Sequence, residues 1–203
     1  MKNVLLQENQ TTHSLSNTSK DPVEVNIYVG TYHKYYNCNS TAGEWLNLCD
    51  FDDYEELLGT VQEIHADEDD PELMVQDTEY LPDSLYCETW YSETVKKWLE
   101  YARFVKESPD RQKAFDIYLE DFVTSVDDRS ISELIKDFDE RFCGDYSESF
   151  TPLEDYLYDN FGFEIEAIAK DYPIIEHGFC WEKYATACEY DFYECDGFIF
   201  KNH

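Results

Sequence analysis

Val25-Asn26-Ile27-Tyr28-Val29-Gly30 sets the fold class. Val25, Ile27 and Val29 alternate with Asn26, Tyr28 and Gly30, the period-two pattern of a strand with one face buried. Glu44-Trp45-Leu46-Asn47-Leu48 reads as a second strand, and the polar stretch from Lys34 to Thr41 can join the two as a hairpin. The period then changes. Asp52 and Glu55 have capping-box spacing, and Tyr54, Leu57, Leu58 and Val61 fall on one helical face. An acidic loop, His65-Ala-Asp-Glu-Asp-Asp-Pro71, and a third strand at Leu73-Met-Val-Gln76 follow. Strands and a helix in this order predict a small α+β unit over residues 24–83.

Outward from this unit the pattern turns helical. Ser92 can cap a segment in which Val95, Trp98, Leu99, Ala102 and Val105 recur at three and four residues. Pro109 suits the first turn of a second helix carrying Ala114, Phe115, Tyr118, Leu119 and Phe122. Ser130 and Glu133 have capping-box spacing before Leu134, Ile135 and Phe138. Thr151-Pro152-Leu153-Glu154 then reads as a helix start, with Gly162 placed to end that helix. Asp196-Gly197, between Tyr190–Glu194 and Phe198–Lys201, predicts a closing hairpin. The expected organisation is a flexible leader at 1–23, an acidic α+β unit at 24–83, a helical middle at 84–143 and an acidic α+β unit at 144–203. The fold class is α+β, with small antiparallel sheets at both ends of the chain.

Charge is the strongest functional signal. The net charge is -31, and from Tyr35 to Val95 the chain carries 17 acidic side chains with no Lys or Arg. Residues 24–93 come to -17, residues 94–143 to -3 and residues 144–203 to -11. A solvated halophilic coat would spread its charge evenly, whereas here two acidic blocks flank a nearly neutral middle. Uncompensated charge weakens the compact state, so a one-sided surface points to a strongly positive partner, such as a surface built to hold nucleic acid. Spread over a compact body about 43 Å across, -31 is about one charge per 1.4 Å, close to the roughly 1.7 Å of duplex DNA. The bases of the middle, Lys96, Lys97, Arg103, Lys106, Arg111 and Lys113, read as partners for local acids on helix faces.

Other chemistry finds little footing. The seven glycines build no phosphate loop, dinucleotide fingerprint or nucleophile elbow, and catalysis is not expected. The seven cysteines show no C-x-x-C pair and read as reduced, small buried hydrophobes, with no disulfide and no metal site expected. His177 and Cys180 could share a metal only as an isolated pair. Asp67-Glu68-Asp69-Asp70 fails the calcium-loop template, because Pro71 and Glu72 stand where a ligand and a glycine are needed. No cofactor is expected. The opening MKNVLLQENQ has three consecutive apolar residues and reads as neither signal peptide nor membrane span, so a cytoplasmic location is expected.

Five stretches carry a family resemblance: Ile27-Tyr-Val-Gly-Thr-Tyr-His-Lys-Tyr-Tyr-Asn37, Gly43-Glu-Trp-Leu-Asn-Leu48, Asp69-Asp-Pro-Glu-Leu-Met-Val-Gln-Asp77, Phe138-Asp-Glu-Arg-Phe-Cys-Gly-Asp-Tyr146 and Asp191-Phe-Tyr-Glu-Cys-Asp-Gly-Phe-Ile-Phe200. In this order they resemble the ArdA antirestriction proteins of plasmids and conjugative transposons. The resemblance implies an elongated chain of three small domains. It also implies a homodimer presenting a curved acidic surface like bent duplex DNA, with no direct binding of nucleic acid or membrane. The implied partner is a type I restriction-modification enzyme, whose methyltransferase and specificity subunits lose their DNA groove to the inhibitor.

Under that resemblance the phosphate-mimicking carboxylates are Asp50, Asp52, Asp53, Glu55, Glu56, Glu63, Asp67, Glu68, Asp69, Asp70, Glu72, Asp77, Glu79 and Asp83 in the first block. Glu148, Glu154, Asp155, Asp159, Glu164 and Glu166 belong to the second. Type I enzymes differ in recognition sequence, so a broad inhibitor needs only the backbone charge of DNA and no base edges. The competing reading is an acidic chaperone that sequesters a basic nucleic-acid-binding protein.

Overall fold

The computed structural model describes residues 24–37 and 42–202; the leader expected at 1–23 lies outside them. The N-terminal sheet has strand order β2-β1-β3, all antiparallel, from β1 (Asn26–Thr31), β2 (Glu44–Asn47) and β3 (Leu73–Glu79). Val25, Ile27 and Val29 are fully buried, as their alternation requires. The expected β1–β2 pairing forms, with Ile27 opposite Leu46. A short helix, α1 (Tyr32–Tyr36), stands in the connection for which the polar sequence predicts only a loop. Thr31 caps it, its hydroxyl accepting from the Lys34 amide.

Helix α2 (Tyr54–Ile64) is capped by Asp53, one residue later than the expected Asp52. The Asp53 carboxylate accepts from the Glu56 amide, and Glu56 reaches back to the Asp52 amide, both at 2.9 Å. The expected capping box is therefore not closed: Asp53 meets the Glu56 amide three residues on, but Glu56 returns to the amide of Asp52, one residue before the cap. Leu57 and Val61 are fully buried. Between β1 and β3 the register slips between Tyr28 and Val29, leaving Gln76 as the bulged residue.

The middle consists of α3 (Ser92–Glu107), α4 (Gln112–Asp121) and α5 (Ile131–Arg141). Ser92 is the first residue of α3 and not its cap; the cap position, Tyr91, makes no side-chain capping hydrogen bond, so the apolar stripe and not the cap fixes this helix start. That stripe is wider than its period suggested, because Tyr101 and Phe104 are buried with Trp98, whose indole donates to the Leu85 carbonyl at 2.7 Å. Pro109 begins a single 3-10 turn through Arg111 before α4 starts. The Ser130–Glu133 capping box is present in both directions.

At the C-terminal end, β4 (Phe142–Asp145), β5 (Phe192–Cys195) and β6 (Phe198–Lys201) form a second antiparallel sheet in the order β4-β6-β5. The Asp196-Gly197 turn has φ of 52° and 83°, the left-handed pair that a two-residue hairpin demands. A Cβ at Gly197 would also lie 2.4 Å from the Ser147 Cα, so no other residue fits there. Helices α6 (Pro152–Asp171), α7 (Pro173–Gly178) and α8 (Trp181–Cys188) lie between β4 and β5 in the chain. Gly162 does not end α6, which runs on to Asp171. It keeps helical backbone, is buried against the Tyr158 ring, and is followed by helix-tolerant Glu, Ile and Ala residues.

One apolar core runs from the first sheet through α5 and takes in Phe198 and Phe200; a second gathers Leu153, Tyr156, Leu157, Ala185 and Ile199. Strand β6 serves both. Its alternate side chains point to opposite faces, so Phe198 and Phe200 enter the first core while Ile199 enters the second.

A buried polar contact ties α3 to α4: the Tyr101 hydroxyl donates to Asp116 at 2.6 Å. Burial pushes the Asp116 carboxyl up from 3.8 to about 6, against the pull of the Tyr101 bond and aided by the charge of Glu120. A folded-state value above the unfolded one means that stability is lost as pH rises through the window from about 4 to about 6. At neutral pH the ionised group costs on the order of 3 kcal/mol. Asp116→Asn keeps an acceptor for Tyr101 and removes the charge. It is expected to raise the Tm at pH 7 by about 6–12 °C, with the gain shrinking towards pH 4. Equal gains at both pH values would show that charge burial is not the cause.

Candidate functional site: an uncompensated acidic surface

Of the twenty carboxylates named from the sequence, eighteen are exposed; Glu68 and Glu154 are half-buried. Local structure gives them different duties. Asp53 and Glu56 cap α2, Glu79 accepts from Asn26, Asp77 from the Thr78 amide, Asp155 from Ser149 and Asp159 from Tyr146. Asp67 and Glu68 meet Lys34 at 2.7 and 3.5 Å. The side chains of Asp50, Asp52, Glu55, Glu63, Asp69, Asp70, Glu72, Asp83, Glu148, Glu164 and Glu166 make no hydrogen bond or ion pair with any described residue, and Glu154 likewise has none. They stand on the short turns Leu48–Asp50 and Asp83–Leu85, on α2 and just before it, on the loop before β3, and on α6 and the loop before it.

Among the described residues, Lys34 is the sole base that pairs with any of the twenty. The Lys34 ammonium also reaches His65 Nδ1 at 3.1 Å. His65, Asp67 and Glu68 have their ligand atoms within 4.8 Å of one another, a spacing that could hold a metal ion, but the Lys34 ammonium is the cation of this donor set. Its hydrogen bond holds the Asp67 carboxyl below the usual range. Burial, and then the Lys34 charge, push His65 down.

The bases of the middle do not neutralise the acidic surface. Among the described residues, Lys96 alone of these six pairs with an acid of its own helix, Glu93. Lys97 donates to the carbonyls of Val126 and Asp127, Arg103 to that of Asp52, and Lys106 to that of Cys49. Arg111 binds Asp139 and lies over the Phe138 ring, and Lys113 reaches Asp196. The expectation of partners on the same helix face is therefore corrected: most of these cations fasten one element to another, several through main-chain oxygens.

Three further acids escaped the sequence reading. Glu182, Glu189 and Glu194 join Glu154 around an open cleft of about 530 Å³, together with Phe150, Phe192 and Tyr193. They stand at two ends of α8 and on β5, so no charge run marks them in the sequence. Among the described residues, no hydrogen bond or ion pair links the carboxylates of the first block to those of the second.

A surface of this kind strains its own fold, because like charges repel wherever no base intervenes. Sodium chloride raised from about 0.01 M to about 0.2 M shortens the Debye length from about 30 Å to under 10 Å. The Tm is expected to rise in parallel. A fall in Tm over this range would show that the carboxylates do not repel one another appreciably.

Fold and charge together define a strongly acidic α+β protein, most of whose outward carboxylates have no ion-pair partner among the described residues. Among the described residues no helix is long and apolar enough to cross a membrane. The family model of the ArdA antirestriction proteins matches residues 27–199, nearly the whole chain, and the chain belongs to that family. No curated protein and no solved structure matches it. Membership makes it an antirestriction protein.

Proposed function

We propose that the chain inhibits type I restriction-modification enzymes by presenting the charge of duplex DNA to the groove of their methyltransferase and specificity subunits. The observation that carries this reading is the set of eighteen exposed carboxylates with one base, Lys34, paired among the twenty. Sequence-independent contacts to DNA are made to phosphates, and fixed carboxylates can replace those without offering base edges. In the same reading three units, at 24–83, 84–143 and 144–203, follow one another in an elongated chain. Two copies join to lengthen the acidic surface, and the protein acts in the cytoplasm without catalysis.

Competition binding on a type I methyltransferase tests the reading. The protein is expected to displace a fluorescent duplex from several such enzymes of different recognition sequence. The concentration needed should climb steeply between about 50 and 200 mM salt, as for any contact between dense opposite charges. Failure to displace duplex from any of them would sink the proposal. Displacement of only one sequence class would show that recognition is not of backbone charge.

A further inference from the structure

Lys34 is the last base before the acid-only run, and its position is costly for a surface selected for negative charge. Only 13% of its side chain is exposed. Its ammonium reaches Asp67 Oδ1 at 2.7 Å, His65 Nδ1 at 3.1 Å and Glu68 Oε1 at 3.5 Å. Neighbouring residues add to the same junction: the Thr31 hydroxyl donates to Glu68 at 2.7 Å, and the Tyr32 amide donates to the Glu72 carbonyl at 3.0 Å. All of these contacts join residues 31–34 to residues 65–72, the segment that carries Asp67, Glu68, Asp69, Asp70 and Glu72. Among the described residues no other base forms an ion pair with this segment.

The charge of the segment works against its own order. Four successive carboxylates repel, and the Asp69 and Asp70 side chains have no hydrogen bond or ion pair among the described residues. His65 fixes the segment's first residue, since it is wholly buried. Its imidazole accepts from the Lys34 ammonium, so the lysine is tied to a residue with no exposed surface.

We propose that Lys34 is a positioning residue of the inhibitor: a single covered ammonium that gathers residues 65–72 and holds Asp69 and Asp70 in the arrangement shown to the basic partner. This rests on the mimic reading above. It also runs against a bare count of charge. Lys34→Gln takes the net charge from -31 to -32, which by counting alone improves a DNA mimic. Positioning makes the variant worse, because the loop must then be ordered at the moment of binding.

The experiment compares wild type, Lys34→Gln and Lys34→Arg, each with and without Asp69→Asn/Asp70→Asn, for displacement of a fluorescent duplex from a type I methyltransferase. Amide hydrogen exchange of residues 65–72 is followed alongside. Lys34→Gln is expected to need about tenfold more protein for half-displacement and to exchange faster across the loop, whereas Lys34→Arg, which keeps the charge, restores both. The Asp69/Asp70 pair should cost less in the Lys34→Gln background than in wild type, a coupling that a merely structural tie would not produce. A folded Lys34→Gln protein that inhibits as well as wild type overturns the proposal, and so does full additivity with the Asp69/Asp70 pair. If wild type itself displaces no duplex, the mimic reading falls and exchange decides alone: faster exchange confined to 65–72 supports positioning, and unchanged exchange overturns it. Lys34→Met, which keeps the apolar stem, carries the same comparison if Lys34→Gln does not fold.

Discussion

Phe138→Ala is expected to cost about 3–5 kcal/mol, the range for removing a fully buried aromatic ring. Phe138 is fully buried, with ring centres of Phe142, Phe115, Tyr118 and Phe200 at 5.0, 5.3, 5.7 and 6.4 Å and the Arg111 guanidinium at 4.8 Å. These partners come from α4, the turn before it, β4 and β6, so the cavity would open where the helical middle meets the second sheet. At about 2–4 °C per kcal/mol for a chain of this size, the Tm should fall by roughly 6–20 °C. Domains are stable by only about 5–15 kcal/mol, which makes this loss a large share of the total. Thermal denaturation followed by circular dichroism measures it. A loss under about 1 kcal/mol would mean that the site collapses around the missing ring and that this junction is not tightly packed.

Neutralising Asp52, Glu63, Asp69 and Asp70 together, as amides, is expected to raise the concentration for half-inhibition more than tenfold and to flatten its salt dependence. These four are chosen because their side chains make no hydrogen bond or ion pair among the described residues. Asp53, Glu56, Asp67 and Glu68 are spared, since they cap α2 or meet Lys34. Single changes such as Asp69→Asn should be nearly silent, because an exposed pair contributes about 0.2–1 kcal/mol. The fold should stay intact, and the Tm should hold or rise as repulsion is relieved. If the quadruple variant inhibits at the wild-type concentration while folded by circular dichroism, the first acidic block is not a contact surface.

The parts of the fold written in local pattern were legible in the sequence. Val25, Ile27 and Val29 alternate and are buried; Ser130 and Glu133 cap each other; Asp196-Gly197 makes its turn. Each depends on neighbours in the chain. Strand β4 was not legible: it is four residues long, follows α5 without a break, contains Gly144, and exists because β6 lies beside it. Gly162 misled for a different reason: it keeps helical backbone inside α6, and a Cβ there would meet the Tyr158 ring at an ordinary 3.5 Å, so neither backbone freedom nor packing marks it as a helix end.

For the candidate site, exposure followed from the charge run, but the division of labour did not. Nothing in the order of residues tells Asp53, a cap, from Asp52, free at its side chain, because that depends on which residue begins α2. The bases were harder still. Lys97, Arg103 and Lys106 donate to carbonyls 29 to 57 residues away, and carbonyls carry no sequence signature. Lys34 stands outside the acidic run by one position, and its role becomes visible only when β1 and β3 place residues 31–34 beside residues 65–72.

Strand β6 gives the C-terminal sheet a property beyond packing. Because adjacent residues of one four-residue strand belong to different cores, loosening either core is expected to disturb the β6 hydrogen bonds that both share. The first turns of α6 rest on that shared strand through Leu153, Tyr156 and Leu157. Under the mimic reading, the carboxylates of those turns would need little further ordering when a partner binds.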